Sequence, residues 1–279
     1  MSKPLLDYLK RNWPHPLRLL HAFLYGKFTP RYLWTLDKIL AHSPKTVTDY
    51  IAHTYHGKVV RLEEAHKLVS AHGEIEARNL EKVIPYRHAR DLILKSPEHI
   101  LAYECSCRAL RKNPCQPTDV CLIVGEPFVG SLSLLQPHRS RRISQEEAIA
   151  IIKAEDERGH IHTAWFKDVL LDRFYVICNC CKCCCTQMRA FKEYGIPMLV
   201  PSGYVSQVSE ECTGCGVCVE LCPFGAISMD GDRAEVTYER CFGCGLCQSH
   251  CPAAAITLKR DPKKGEPLDI DYITGNLQT

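Results

Sequence analysis

The sequence predicts an α+β protein: a helical N-terminal segment, a mixed α/β cysteine-rich body, and a small C-terminal unit built on an internal repeat. Three observations carry this. Apolar residues fall at helical spacing between prolines before residue 45, cap and strand patterns alternate through the middle, and one cysteine–glycine motif occurs twice between Cys212 and Cys251. At 279 residues the chain is long enough for two domains, each with its own core.

Residues 1–45 are rich in aromatic and basic side chains, and Pro14, Pro16, Gly26 and Pro30 are expected to break them into short helices. Such helices can lie on an anionic membrane surface, or pack on the protein's own body or a partner subunit. Residues 46–200 read as the α/β body. A helical stretch is expected over His88–Ser96, then a strand over His99–Tyr103 that ends at Cys105. Ser144 to Glu147 is a capping-box pattern opening a helix over Glu146–Arg158, with Gly159 as its stop. His160, His162 and Ala164 alternate with Ile161 and Thr163 as in a strand, and Arg173–Ile177 is a second strand that delivers the chain to Cys178. Two strands ending at cysteine clusters predict one shared site at the sheet's edge. Residues 201–258 form the repeat unit, and 259–279 read as a polar tail, draped or mobile.

Composition bounds the function. Apolar content of 46% and charged content of 24% are ordinary for a globular chain, and a net charge of +3 is too small to argue for nucleic acid. Eighteen cysteines decide the class. A secreted disulfide scaffold is disfavoured: Met-Ser-Lys-Pro opens no signal-peptide apolar core, and neighbours such as Cys180 and Cys181 cannot readily bridge each other. Thiolates kept reduced in a cytoplasm and held by metal account for them better. No apolar run reaches the roughly 18–20 residues that span a bilayer. The expected location is cytoplasmic, with membrane association through residues 1–45 as the alternative.

The motif C-x-x-C-x-x-C-x-x-x-C-P runs from Cys212 to Pro223 and again from Cys241 to Pro252. Three cysteines at two-residue gaps let one tight loop wrap three corners of a cubane. The fourth, on the next helical turn, points to the other cluster. One cluster is thereby assigned to Cys212, Cys215, Cys218 and Cys251, the other to Cys241, Cys244, Cys247 and Cys222. Paired C-x-x-C units also make zinc ribbons, but these lack the third and fourth cysteines and the proline. The pattern resembles bacterial-type dicluster ferredoxins over less than a fifth of the chain. That resemblance implies a ferredoxin-like fold, two [4Fe–4S] clusters and low-potential one-electron transfer. Acidic residues around the repeat, among them Glu210, Glu211 and Glu220, could steer a basic redox partner protein.

Ten further cysteines are candidate metal ligands: Cys105, Cys107, Cys115, Cys121, Cys178, Cys180, Cys181, Cys183, Cys184 and Cys185. Their C-x-C-R and C-N-C-C-x-C-C runs, upstream of the repeat, resemble those of uncharacterised ferredoxin-like proteins of anaerobic microbes. That likeness supports redox chemistry and names no substrate. Six thiols between Cys178 and Cys185 cannot all face a packed core, and exposed thiols at that density would oxidise. Ten ligands allow one or two additional Fe–S clusters, one larger cluster, or one cubane with spare thiols for substrate or a second metal. Zinc or copper storage is the competing explanation. Arg108 and Lys182 would offset thiolate charge there, and His160 and His162 are candidate ligands or proton donors.

The favoured function is an iron–sulfur electron-transfer protein or redox-complex subunit, with a further cluster in the N-terminal body. The alternative is a reductase fed by the repeat unit, with its substrate site at the N-terminal cysteines. A metal-handling or cluster-assembly role is the third possibility. No G-x-G-x-x-G fingerprint, phosphate loop or Ser/His/Asp pattern points to a nucleotide, flavin or hydrolytic site.

Overall fold

The computed structural model describes residues 16–275, so the first third of the 1–45 segment, with its Pro14 break, lies outside the described residues. Over the described part, α1, Pro16–Leu40, consists of two helical segments that meet at a kink at Phe28, between the expected breakers Gly26 and Pro30. Pro30 accounts for the kink. It has no N–H to give the carbonyl of Gly26 four residues back, and the Gln136 side chain donates to that oxygen instead. Tyr25, Leu33 and Leu40 are buried, whereas Leu17, Leu20, Phe23, Leu24 and Trp34 are exposed.

Helix α2, Lys45–Thr54, runs straight into strand β1, Tyr55–Val60, followed by α3, Leu62–Val69, and β2, Ile75–Ala77. The helix expected over His88–Ser96 is overturned: Leu92–Tyr103 is one strand, β3. An apolar run buried on both sides has the same composition in either state, and pairing decides it. Leu92–Leu94 pair with β2, and an irregularity between Lys95 and Ile100 takes up Ser96 and Pro97 before β3 resumes. Helix α4, Ser106–Ala109, leads towards β4, Cys121–Glu126; then come α5, Phe128–Leu135, and β5, Ser140–Ile143. The capped helix is α6, Gln145–Glu157, with Ser144 Oγ accepting from the Glu147 N–H at 3.2 Å. Strands β6, Ile161–Lys167, and β7, Arg173–Cys180, precede α7, Thr186–Tyr194, and β8, Leu199–Val200.

These eight strands form one sheet in the order β2-β3-β4-β7-β6-β1-β8, with β5 also on β3. Every pairing is antiparallel except β1 with β8. Both faces are covered, so side-chain alternation sorts residues between two cores. Leu122, Val124, Ala164, Phe166, Phe174 and Ile177 face the core shared with α3 and α6. Cys121, Ile123, Ile161, Trp165, Val176 and Cys180 face the other. The second face carries the thiols.

The C-terminal part holds two small two-stranded sheets: β9, Tyr204–Val208, with β12, Ile256–Arg260, and β10, Ile227–Asp230, with β11, Arg233–Val236. Short helices α8, Val217–Leu221, and α9, Leu246–Ser249, follow the two cysteine loops. Gly214 and Gly243 occupy equivalent places in the repeat, with φ of 68° and 63°. A Cβ there would lie 2.6 Å from Asp232 O and 2.2 Å from Tyr204 O respectively. Beyond β12 the chain does not hang free: Leu268 is fully buried, and Asp269 pairs with Lys67 of α3 at 2.8 Å before α10, Ile270–Ile273. Of the draped and mobile alternatives only the mobile one is at odds with this packing: Leu268 and Ile270 are apolar enough to anchor an otherwise polar stretch. Among the described residues no helix is long and apolar enough to cross a membrane.

Candidate metal centres

Each cysteine loop of the C-terminal part turns at two glycines of positive φ before entering its short helix. Backbone N–H groups outside these turns also point at the thiols. Ala226 N donates to Cys222 Sγ and Ala255 N to Cys251 Sγ, both at 3.3 Å, in equivalent positions of the repeat. Ser206 adds its N–H to Cys241 Sγ at 3.5 Å, and its hydroxyl lies 3.1 Å from Cys247 Sγ. Two small pockets result. Cys212, Cys215, Cys218 and Cys251 line one, with Val217, Ala234 and Ile256; Cys222, Cys241, Cys244 and Cys247 line the other, with Phe224, Ala226 and Leu246. The structure thus brings the fourth cysteine of each run to the opposite loop.

The two pockets differ in exposure. Cys215 is exposed and Cys212 and Cys251 half-buried, whereas Cys241 and Cys247 are buried. Backbone N–H groups of Ala234 and Gly214 hold the Cys212 thiol below its ordinary value, and burial pushes Cys247 up to about 11. A cluster in the inner pocket would sit in the lower dielectric. As a donor set, two groups of four thiols with apolar walls and N–H groups on sulfur fit iron–sulfur clusters.

Residues 211–255 match the 4Fe-4S dicluster domain family. The C-terminal region is accordingly an iron–sulfur module suited to electron transfer. No curated protein and no solved structure matches the chain.

The ten remaining cysteines, expected at one shared site, meet where β3 and β7 end and β4 begins, but in two sets. Cys115, Cys181, Cys183 and Cys184 have sulfurs all within 4.8 Å of one another. The other six close into a ring in which each thiol meets two neighbours: Cys105–Cys107, Cys107–Cys185, Cys185–Cys180, Cys180–Cys178, Cys178–Cys121 and Cys121–Cys105. Strand alternation builds it. Cys178 and Cys180 lie two apart on β7 and share a face, while Asn179 between them points the other way to hold His162 Nδ1 at 2.6 Å. Hydrogen bonds from Cys178 and Cys185, with one from Thr163, hold Cys180 down at about 6 against the cost of burial. Hydrogen bonds with Cys121 and Cys180, and then burial, raise Cys178.

All six ring thiols line a cavity of about 490 Å³ whose remaining wall is mostly apolar, including Leu19, Phe23, Phe128, Leu132 and Leu135. Among its polar lining groups, besides Arg108 and Asn179, are a set of hydroxyls and the Gln187 amide. Tyr25 Oη lies 2.5 Å from Tyr175 Oη and 3.5 Å from Tyr55 Oη, and Gln187 Nε2 donates to Tyr55 Oη at 3.0 Å. Gln187 Oε1 in turn lies 3.1 Å from Cys107 Sγ and 3.4 Å from Cys185 Sγ. Burial raises all three tyrosines, which therefore stay protonated. Sequence reading missed these four residues. Tyr25, Tyr55 and Tyr175 come from α1, β1 and β7, and only Gln187, two residues beyond Cys185, carried a local hint.

Arg108 is fully buried beside Cys105 and Cys181, as its place in the C-x-C-R run suggested, but Glu155 pairs with it and takes up much of its charge. Lys182 reaches instead across to the Glu220 carbonyl at 2.7 Å. Neither histidine lines the cavity. His160 Nδ1 is 2.7 Å from Glu155 Oε2, and His162 is held by Asn179.

Proposed function

We propose that the chain is a low-potential iron–sulfur electron-transfer protein in which the C-terminal module serves a further cluster in the N-terminal body. Cys212, Cys215, Cys218 and Cys251 hold the outer cluster, Cys222, Cys241, Cys244 and Cys247 the inner one, and the six-thiol ring the further one. Bound clusters supply one-electron chemistry; the chain supplies their order and insulation. One observation carries the reading: all six ring thiols and Cys222, Cys241 and Cys244 belong to or pack against a single buried core. Phe224 and Phe242 stack at 4.3 Å in that core, with Phe191 edge-on to both. A redox partner protein would dock at the exposed Cys215 side, where Glu210 and Glu211 favour a basic surface.

Iron and acid-labile sulfide analysis, with EPR on the anaerobically purified full chain, tests this. More than eight irons are expected, and Cys121→Ser with Cys178→Ser should remove one EPR species while the dicluster signals persist. Eight irons, all lost with the C-terminal cysteines, would remove the N-terminal cluster from the scheme.

The cavity favours a second reading, a reductase fed by the C-terminal module. A carrier has no need of a 490 Å³ apolar chamber walled by thiols and roofed by protonated tyrosines. Its substrate would be a small apolar molecule whose reduced atom meets the ring on one side and a tyrosine hydroxyl on the other. Narrowing the chamber with Leu132→Trp should then abolish substrate-driven reoxidation of the reduced chain without altering its EPR spectrum. A pure carrier would be indifferent.

A further inference from the structure

We infer that Cys115, Cys181, Cys183 and Cys184 hold a single tetrahedral metal ion, zinc by preference, and not an iron–sulfur cubane. The inference goes beyond the electron-transfer reading and does not depend on it. Three of the sulfur–sulfur separations are 3.0 Å for Cys115–Cys183, 3.6 Å for Cys115–Cys184 and 3.7 Å for Cys183–Cys184, and no pair exceeds 4.8 Å. Four thiolates at about 2.3 Å from one tetrahedral ion stand about 3.8 Å apart. A cubane holds its thiolates farther apart, because each binds a separate iron outside the inorganic core. The molecule provides its own comparison. Among the described residues this is the one group of metal-ligating side chains to close so tightly; the two dicluster sets ring their pockets without doing so.

The chemistry agrees. All four donors are thiols of the chain, a closed set that leaves no position for substrate, as structural zinc sites are built. The Cys184 N–H also donates to Cys181 Sγ at 3.3 Å, fixing the turn between two ligands. The placement assigns a role. Cys115 lies in the loop between ring residues Cys107 and Cys121, and Cys181, Cys183 and Cys184 lie between ring residues Cys180 and Cys185. One ion would therefore staple together the two loops that connect the ring's residues, and with Lys182 bonded to Glu220 O it sits against the C-terminal module. Iron(II) can occupy the same geometry, and elemental analysis separates the two.

The test uses the full chain purified anaerobically from zinc-supplemented cells, alone and as Cys115→Ser and Cys183→Ser. The second variant alters an exposed residue and guards against misfolding of the first. Each substitution should remove one equivalent of zinc, or of iron if iron occupies the site, with acid-labile sulfide unchanged. X-ray absorption at that metal's edge should give four sulfur neighbours near 2.3 Å and no metal–metal distance. Loss of four irons with four sulfides, or metal content unaffected by either substitution, would overturn the assignment. Neither outcome would touch the dicluster signals on which the electron-transfer reading is judged.

Discussion

Lys58 places an amino group on β1 where the residue is fully buried, and its Nζ finds no hydrogen-bond partner among the described residues. Burial lowers it from 10.5 to about 7, with Glu64 only partly compensating. Below pH 7 the group is charged in both folded and unfolded chains, and the folded state bears the whole desolvation cost. Between about 7 and 10.5 the unfolded chain binds more protons, so stability rises with pH across that window. Lys58→Met removes the group at nearly constant volume. It should stabilise the chain by about 2–4 kcal/mol at pH 6, with the gain shrinking towards pH 10. Anaerobic denaturation at the two pH values measures this, and an equal gain at both would assign the effect to packing instead of charge.

At the scale of the element, the sheet decides what the thiols can do. Cys121, Cys178 and Cys180 reach the ring because β4 and β7 are adjacent and each alternates its side chains. Gly57 and Trp165 are register partners across β1 and β6, and a Cβ on Gly57 would lie 2.7 Å from the indole. That indole donates to Thr163 Oγ1 at 2.8 Å, which lies 3.3 Å from Cys180 Sγ. Gly57→Ala should therefore cost about 1–3 kcal/mol by overpacking and disturb the ring through Thr163. A lower melting temperature with an altered N-terminal EPR species would register both, whereas an unchanged spectrum would disconnect Trp165 from the ring. The same geometry explains what could be read beforehand. The dicluster ligands were legible because their spacing is local: one loop and one turn contain the motif. The partition of the other ten cysteines was not, since Cys115 parts from Cys107 and Cys121 only when β4 pairs with β7. Strand β3 was mistaken for a helix over part of its length for the same reason, its pairing with β2 being invisible in composition.

At the scale of the whole molecule, residues 46–200 and 201–258 looked separable by composition, yet they share a core. Met188, Ile196 and Leu199 of the body and Val205, Phe224 and Phe242 of the C-terminal module belong to one buried cluster, and Leu268 returns to the opposite core beside α3. The chain is thus tied across both faces of its sheet. Module and body separated by a thin polar interface would unfold independently, since domain contacts of that kind rarely couple melting. A continuous apolar core of this kind makes opening of one part expose the other. Far-UV circular dichroism reports mainly the body, and the dicluster EPR signals of samples frozen along the thermal ramp report the module. In the anaerobic holoprotein the two should therefore lose signal in one coincident thermal transition. The Phe242→Ala variant, which cuts the stacked pair at the junction, should separate them, with the dicluster signals lost first. Separate transitions in the unaltered protein would mean that the shared core does not hold the module to the body, and the proposed route from Cys241 to the ring would lose its physical basis.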